Sequence, residues 1–250
     1  MMFKCVMRTA LIWVIACSSL WAADSSDWRT LWKHADDRRV TGSYRDAFDT
    51  YKKVLVLLEA ESRPDQRAVG MVLHFLGFTA AEINRDTEAR DYYIRSNAIL
   101  EAIENVRPAS LAIGIRNLAG VQWRLGELGE AEVLFLRAIA LVDVPGPGDT
   151  SSLAGYLSEL GAVYFDQGKL AESEAALLRA NELIETFSAA FVPRRVWGHN
   201  LIQLGQIQIG RKEYEKAEKS FQNAKFWFDD DSPEVSYCDE RIAHIRSQQR

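Results

Sequence analysis

An all-α solenoid is the fold this sequence predicts, on three observations. The first is near-repetition: residues 124–135 read RLGELGEAEVLF and, forty-two residues later, 166–177 read DQGKLAESEAAL. A fixed period of 20–50 residues is the signature of a solenoid, propeller or array. The second is that the period runs through the chain. A small residue recurs at Ala47, Ala89, Ala131, Ser173 and Ala217, in steps of 42, 42, 42 and 44, and four positions on stands a large one: Tyr51, Tyr93, Phe135, Leu177 and Phe221. Upstream run a ladder of small residues (Ala35, Gly77, Ala119, Gly161, Gly205) and one of large residues (Leu31, Leu73, Ile115, Leu157, Leu201). The third is proline placement. All six prolines (64, 108, 145, 147, 193, 233) fall between the units so defined; inside a helix each would cost about 3 kcal/mol.

The chain begins with Lys4 and Arg8 before an apolar run, TALIWVIACSSLW (9–21), closed by Ala22-Ala23 and broken off by Asp24-Ser25-Ser26-Asp27. A charged start, a short apolar stretch and small residues are the parts of a secretory signal. The run falls short of the ~20 apolar residues that span a bilayer. Residues 1–23 are therefore expected to be a signal peptide, and the protein to be exported, periplasmic or secreted. Val14-Ile15-Ala16-Cys17 resembles a bacterial lipobox, with Val14 where leucine usually stands. Lipidation at Cys17, giving an outer-membrane lipoprotein, is the alternative to cleavage after Ala23. Either route removes Lys4 and Arg8, leaving 28 basic residues against 35 acidic and a charge of −7. Of Cys5, Cys17 and Cys238, only Cys238 survives cleavage after Ala23, so no disulfide framework is expected.

From residue 24 to 250 the ladders divide the chain into five units, about 28–63, 67–107, 109–144, 150–192 and 194–230. The first departs from the rest in carrying His34 where the others carry Leu76, Leu118, Leu160 and Leu204. The third shows the internal pattern. ASLAIGIRNLAGVQWRL (109–125) has apolar residues at 111, 115, 118, 121 and 125, which is helical spacing. Gly126 interrupts it. Leu128, Ala131, Leu134, Phe135, Ala138 and Leu141 resume it, until Pro145-Gly146-Pro147-Gly148 ends the unit. Each unit thus reads as a helix, a turn and a helix. Such a hairpin cannot bury its apolar face alone, and stacking copies bury it. The turn glycine is replaced by Asn84 in the second unit and Lys212 in the fifth, where Gly210 comes two residues early. After the fifth unit, Ser232-Pro233-Glu234 reads as an N-cap followed by proline at the first helical position. It opens a lone capping helix over about 233–247. The acidic run 229–231 sits where the positive end of that helix favours acids.

With leucine then a small residue in the first helix, glycine at the turn, and alanine then an aromatic in the second, the pattern resembles the tetratricopeptide repeat. LGAVYFDQGKLAESEAALLRA (160–180) and LGQIQIGRKEYEKAEKSF (204–221) carry the resemblance best, and it covers about 28–228. The usual unit is about 34 residues; the 42-residue step resembles the long variant of kinesin light chains and many bacterial proteins of the family. The resemblance implies a right-handed α-solenoid of about five helix-turn-helix repeats plus a C-terminal capping helix. Its first helices would line a concave groove for a protein or peptide partner.

Mapped onto this chain, that groove face comprises Trp32 and Asp36; His74, Phe78 and Glu82; Arg116, Asn117, Trp123 and Arg124; Ser158, Glu159, Phe165 and Asp166; and Ile202, Gln203 and Gln206. Trp32, His74, Phe78, Arg116, Asn117, Trp123, Arg124, Phe165 and Gln203 are the candidate partner-binding residues, because aromatics and arginine tend to anchor interfaces. Trp123 and Phe165 have a second reading, as residues that close the core between repeats. The inner row reads Asp36, Phe78, Gly120, Ala162 and Gln206. It lacks the asparagines that would clamp a partner's C-terminal carboxylate.

Nothing points to other chemistry. The composition, 48% hydrophobic and 26% charged, is that of a globular protein rather than a disordered or fibrous one. The charge is −5 and no basic stripe occurs, which argues against nucleic-acid binding. HExxH, CxxC, phosphate-loop, GxGxxG and GxSxG motifs are absent, and the four histidines lie far apart. No catalytic residue, metal or cofactor is expected. The reading is a non-catalytic protein-binding scaffold; the alternative is a structural subunit of a cell-envelope assembly, anchored through Cys17.

Overall fold

The computed structural model describes residues 27–143, 150–186 and 194–249. The segment expected to be a signal or lipid anchor, Cys17 included, lies outside them, as do Pro145, Pro147 and Pro193. Among the described residues there are eleven α-helices and no strand: α1 Trp28–Val40, α2 Tyr44–Glu59, α3 Gln66–Glu82, α4 Asp86–Glu101, α5 Pro108–Arg124, α6 Leu128–Val142, α7 Thr150–Asp166, α8 Leu170–Thr186, α9 Arg194–Gly210, α10 Tyr214–Lys225 and α11 Pro233–Gln248. The expected all-α architecture of helix-turn-helix repeats followed by one further helix is what the structure shows. No described helix is long and apolar enough to cross a membrane. The chain divides into two compact units, Met1–Val106 and Arg107–Arg250. Each is described by itself.

The first unit stacks hairpin α1–α2 against hairpin α3–α4, with α2 packed on α3. Its core is Ala35, Ala47, Phe48, Tyr51, Val54 and Leu58 of the first hairpin with Val69, Val72, Leu73, Leu76 and Tyr93 of the second. His34, which breaks the leucine ladder, is exposed, whereas Leu76 at the equivalent place is buried. In the second unit α5–α6, α7–α8 and α9–α10 form successive hairpins, α6 packs on α7, and α11 lies against α10. Phe135 and Val163, both fully buried, centre one core cluster, and Phe221 and Ile245 another.

The small-residue ladder exists because the second helix of each hairpin drives its large residue against the first. A Cβ on Gly77, Gly161 or Gly205 would lie 2.8 Å from the side chain of Tyr93, Leu177 or Phe221 respectively. Ser173, which departs from the alanine ladder, is fully buried, and its hydroxyl donates to the Gly161 carbonyl at 2.7 Å.

All five hairpin turns are the same turn. Gly42, Asn84, Gly126, Gly168 and Lys212 each have positive φ, between 59° and 79°. The N–H of the following residue closes on the carbonyl five residues back: Ser43 on Arg38, Arg85 on Ala80, Glu127 on Gln122, Lys169 on Tyr164 and Glu213 on Gln208. This is the left-handed helix stop that satisfies orphan carbonyls. Asparagine tolerates it and lysine is strained in it, so neither substitution changes the repeat. Ser232 caps α11 by accepting from the Val235 N–H at 3.3 Å, with Pro233 at its first position.

Candidate functional site

Successive first helices of the second unit are tied at a separation of forty-three residues. On α5, Arg116 closes on Glu159 of α7 through two contacts, Nε to Oε2 at 2.6 Å and Nη2 to Oε1. Seven residues further along both helices, the Trp123 indole N–H donates to Asp166 Oδ2 at 2.6 Å. These two rungs stand about 10 Å apart along the helix axes, from a rise of ~1.5 Å per residue. Between them lie Gly120 of α5 and Ala162 of α7, on the same faces because residues three, four and seven apart share one side of a helix. A Cβ on Gly120 would meet nothing within 4 Å. The result is a trough with a floor of two small residues and two polar walls. The Asn117 carbonyl oxygen accepts from Arg116 Nη1 at 3.1 Å, and Arg124 is exposed beside Trp123.

Trp123 has a polar edge and a packed ring. Its indole N–H makes the polar wall while its ring packs on the core cluster around Phe135. Phe165 packs against Leu177, Leu204 and Ile207 and so belongs to the core between the fourth and fifth repeats. Further along, Gln203 is half-buried on α9, and Gln206 donates to the Tyr237 hydroxyl at 2.6 Å. Beneath this face Asn200, 2% exposed, donates to both Ser158 and Asn181 at 2.9 Å. This buried polar knot holds α9 on α7 and α8, with its donors satisfied as burial requires.

The remaining candidates belong to the first unit. The Trp32 indole N–H donates to Asp36 Oδ2 at 2.9 Å, and its ring meets Phe75 edge-on at 6.2 Å. Asp36 Oδ1 also accepts from Tyr51 OH at 2.5 Å and from Arg39 Nη2 at 3.0 Å. Phe75 is stacked on Tyr51 with 5.5 Å between centroids, and the Arg39 guanidinium lies 4.7 Å over its ring. Burial, and then the hydrogen bond to Asp36, raise the Tyr51 hydroxyl above its ordinary pKa. Phe78 meets Tyr44 edge-on at 5.9 Å. His74 meets Tyr93 edge-on at 5.4 Å and Phe75 at 5.7 Å; burial, and then the charge of Arg39, push its pKa down to about 4. Trp32 and His74 are thus held within packed aromatic clusters.

Ion pairs between second helices follow the period as well. Glu59 pairs with Arg95 in the first unit, and Asp143 with Arg179 at 2.7 Å in the second. Each acid stands twelve residues after its repeat's alanine and each arginine six after the next repeat's small residue. Glu132–Lys169 and Glu174–Arg211 likewise join a second helix to the following turn. The sequence reading missed this pairing, although opposite charges 36 or 37 residues apart carried the signal. Among the described residues no group of three or more His, Cys, Asp or Glu could hold a metal ion. Cys238 is fully buried, and burial pushes its thiol up to about 11; this is a core residue without nucleophilic character.

Residues 153–185 match the family model described as tetratricopeptide repeat. This is a tetratricopeptide-repeat fold. The match covers α7 and α8, and the same hairpin recurs before and after it. The chain is similar to BtubC (BKLC) from P. vanneervenii, with a TM-score of 0.68 and 19% identity over 80% of this chain and 78% of that one. A Podosopora anserina putative kinesin light chain with nearly identical TPR-like repeats gives 0.64 and 16%, over 81% and 95%. YrrB, a TPR protein with an unusual peptide-binding site, gives 0.59 and 15%, over 89% and 97%. No curated protein matches the chain by sequence. The kinesin-light-chain-like, long-repeat character expected from the 42-residue step is thereby shown, and a tetratricopeptide solenoid supports a protein-interaction role.

Proposed function

We propose that this tetratricopeptide chain is a non-catalytic adaptor that holds an extended segment of a partner protein against the first-helix face of its second unit. The segment would cross the trough between the Arg116–Glu159 and Trp123–Asp166 rungs. The observation that carries the reading is the open floor at Gly120. A helix-interior glycine costs about 0.5–1 kcal/mol relative to alanine, and here no neighbour needs the missing Cβ. Close approach of another chain is a reason to keep it. Asn117 supplies an amide of the kind that hydrogen-bonds a peptide backbone, and the paired charges form a rigid, near-neutral wall. The structurally similar YrrB is a TPR protein with an unusual peptide-binding site.

The test is crosslinking and pull-down from cells with wild type, Gly120→Leu and Arg116→Glu, each checked for helicity and melting temperature. A side chain at 120 starts into open space, since its Cβ meets nothing within 4 Å. A partner captured by wild type and lost from both folded variants supports the trough. A partner held equally by all three sinks it.

Export rests on the sequence of residues 1–23, and we propose it on that ground. A mature N-terminus at Asp24 supports a soluble exported adaptor. Palmitate labelling abolished by Cys17→Ser supports the anchored envelope subunit instead.

A further inference from the structure

At the far end of the second unit a cleft of about 460 Å³ opens between the start of α9 and the connection from α10 to α11. Its lining includes Arg195, Trp227, Phe228, Asp229, Asp231 and Glu234. The aromatics come from a sequence run, FWFDDD (226–231), in which three successive rings precede three successive acids. Trp227 is fixed by a parallel stack on Trp197, 4.4 Å between centroids, and Phe228 by edge-on contact with His199 at 5.1 Å. Phe226 is 71% exposed beside them. The aromatic side of the cleft is therefore held in place by ring contacts.

The charge of the lining is unbalanced. Arg195 is already bound to Glu234 Oε1, while Glu234 Oε2 is buried with no hydrogen-bond partner among the described residues. Asp229 and Asp231 make no ion pair among the described residues, unlike Glu132, Glu159, Glu174, Glu218 and Asp239, each of which holds a lysine or arginine. Three carboxylates against one engaged guanidinium leave a deficit of positive charge at the mouth of an aromatic cleft. At the adjoining start of α11, Pro233 has no N–H and the Val235 N–H is taken by Ser232.

We propose that this cleft is a second binding site, one that takes a lysine or arginine side chain of a partner protein. The alkyl stem lies along Trp227 and Phe228, and the cationic head sits between Asp229 and Asp231. Aromatic faces and unpaired carboxylates attract the same ligand for independent reasons, quadrupole and charge. A long basic side chain is the one that presents an apolar stem and a charged tip together. The site stands apart from the Gly120 trough and does not depend on it.

The experiment follows the indole N–H resonances of the full-length mature protein during titration with Ac-Gly-Lys-Gly-amide, Ac-Gly-Arg-Gly-amide and the norleucine tripeptide, a neutral isostere of the lysine probe. Wild type is expected to bind both cationic probes, with the Trp227 resonance shifting, at least about tenfold more tightly than the norleucine probe. Asp229→Asn with Asp231→Asn, two exposed substitutions outside the core, is expected to abolish that preference, and Gly120→Leu to leave it intact. Equal shifts with the lysine and norleucine probes overturn the proposal. So does undiminished preference in the double variant, which would mark the attraction as that of the protein's net charge. Loss of the cationic preference in Gly120→Leu would equally overturn it, by placing the probe in the trough.

Discussion

A Cβ placed on Gly77 would stand 2.8 Å from Cδ1 of Tyr93, closer than packed carbons approach. Tyr93 cannot yield easily. Its ring is rigid, it is 2% exposed, and His74 packs against it edge-on. The crossing of α3 and α4 is therefore set by the absence of one carbon. Gly77→Ala is expected to destabilise the protein by about 1–3 kcal/mol, the usual cost of overpacking, despite the better helix propensity of alanine. A lowered urea midpoint checks it, and Gly205→Ala against Phe221 is expected to behave alike.

Gly120→Ala should move the midpoint the other way. The position is interior to α5 and the added carbon meets nothing within 4 Å, so the propensity gain of about 0.5–1 kcal/mol is expected undiminished. Opposite signs for the same substitution on two first helices would separate a packing glycine from one retained for another reason. A destabilised Gly120→Ala would remove the physical basis for an open trough.

Lys212 holds φ at 62°, where the equivalent residues of three other turns are glycine. Relieving a β-carbon in the left-handed region is worth about 1 kcal/mol, part of it offset by the freer unfolded chain. Lys212→Gly is expected to raise the melting temperature by a few degrees. Gly126→Ala, forcing a β-carbon into the same conformation, is expected to lower it.

Much of this architecture was legible because packing imposes the period. The ladder Ala35, Gly77, Ala119, Gly161, Gly205 could be read as a row of close crossings from residue size alone. Asn84 and Lys212 were the places where sequence faltered, since a left-handed turn is a backbone property and those residues do not announce it. At the candidate site the reading singled out residues that the structure places on one face, and stopped short of their geometry. Arg116 and Trp123 stood out by residue type, but their partners Glu159 and Asp166 are fixed by the rotation between repeats, which a linear pattern does not contain. Phe165 illustrates the limit: on a helix wheel it shares the face, yet α9 places Leu204 and Ile207 against it. The cleft at 226–234 was less legible still. Its acids have a sufficient local explanation in the dipole of α11, and only the fold brings Arg195 and the Trp197–Trp227 stack beside them.

His74 makes stability depend on pH in a defined window. Its folded pKa is about 4, lowered first by burial and then by Arg39, against an unfolded value of ~6.5. Between those values the unfolded chain binds a proton that the folded chain refuses, so stability rises with pH across the interval. The contribution is fully present above pH ~6.5, is lost as pH falls towards 4, and levels off below. The displacement corresponds to about 3 kcal/mol at most. Arg39 cannot follow by releasing a proton in this range, and the rings of Phe75 and Tyr93 offer the imidazolium no carboxylate. His74→Phe is expected to remove the part of the slope between pH 6.5 and 4 while keeping the aromatic contacts. Urea unfolding at half-unit pH steps on both proteins checks it. An unchanged slope in His74→Phe would mean that His74 does not set the acid limit of the fold.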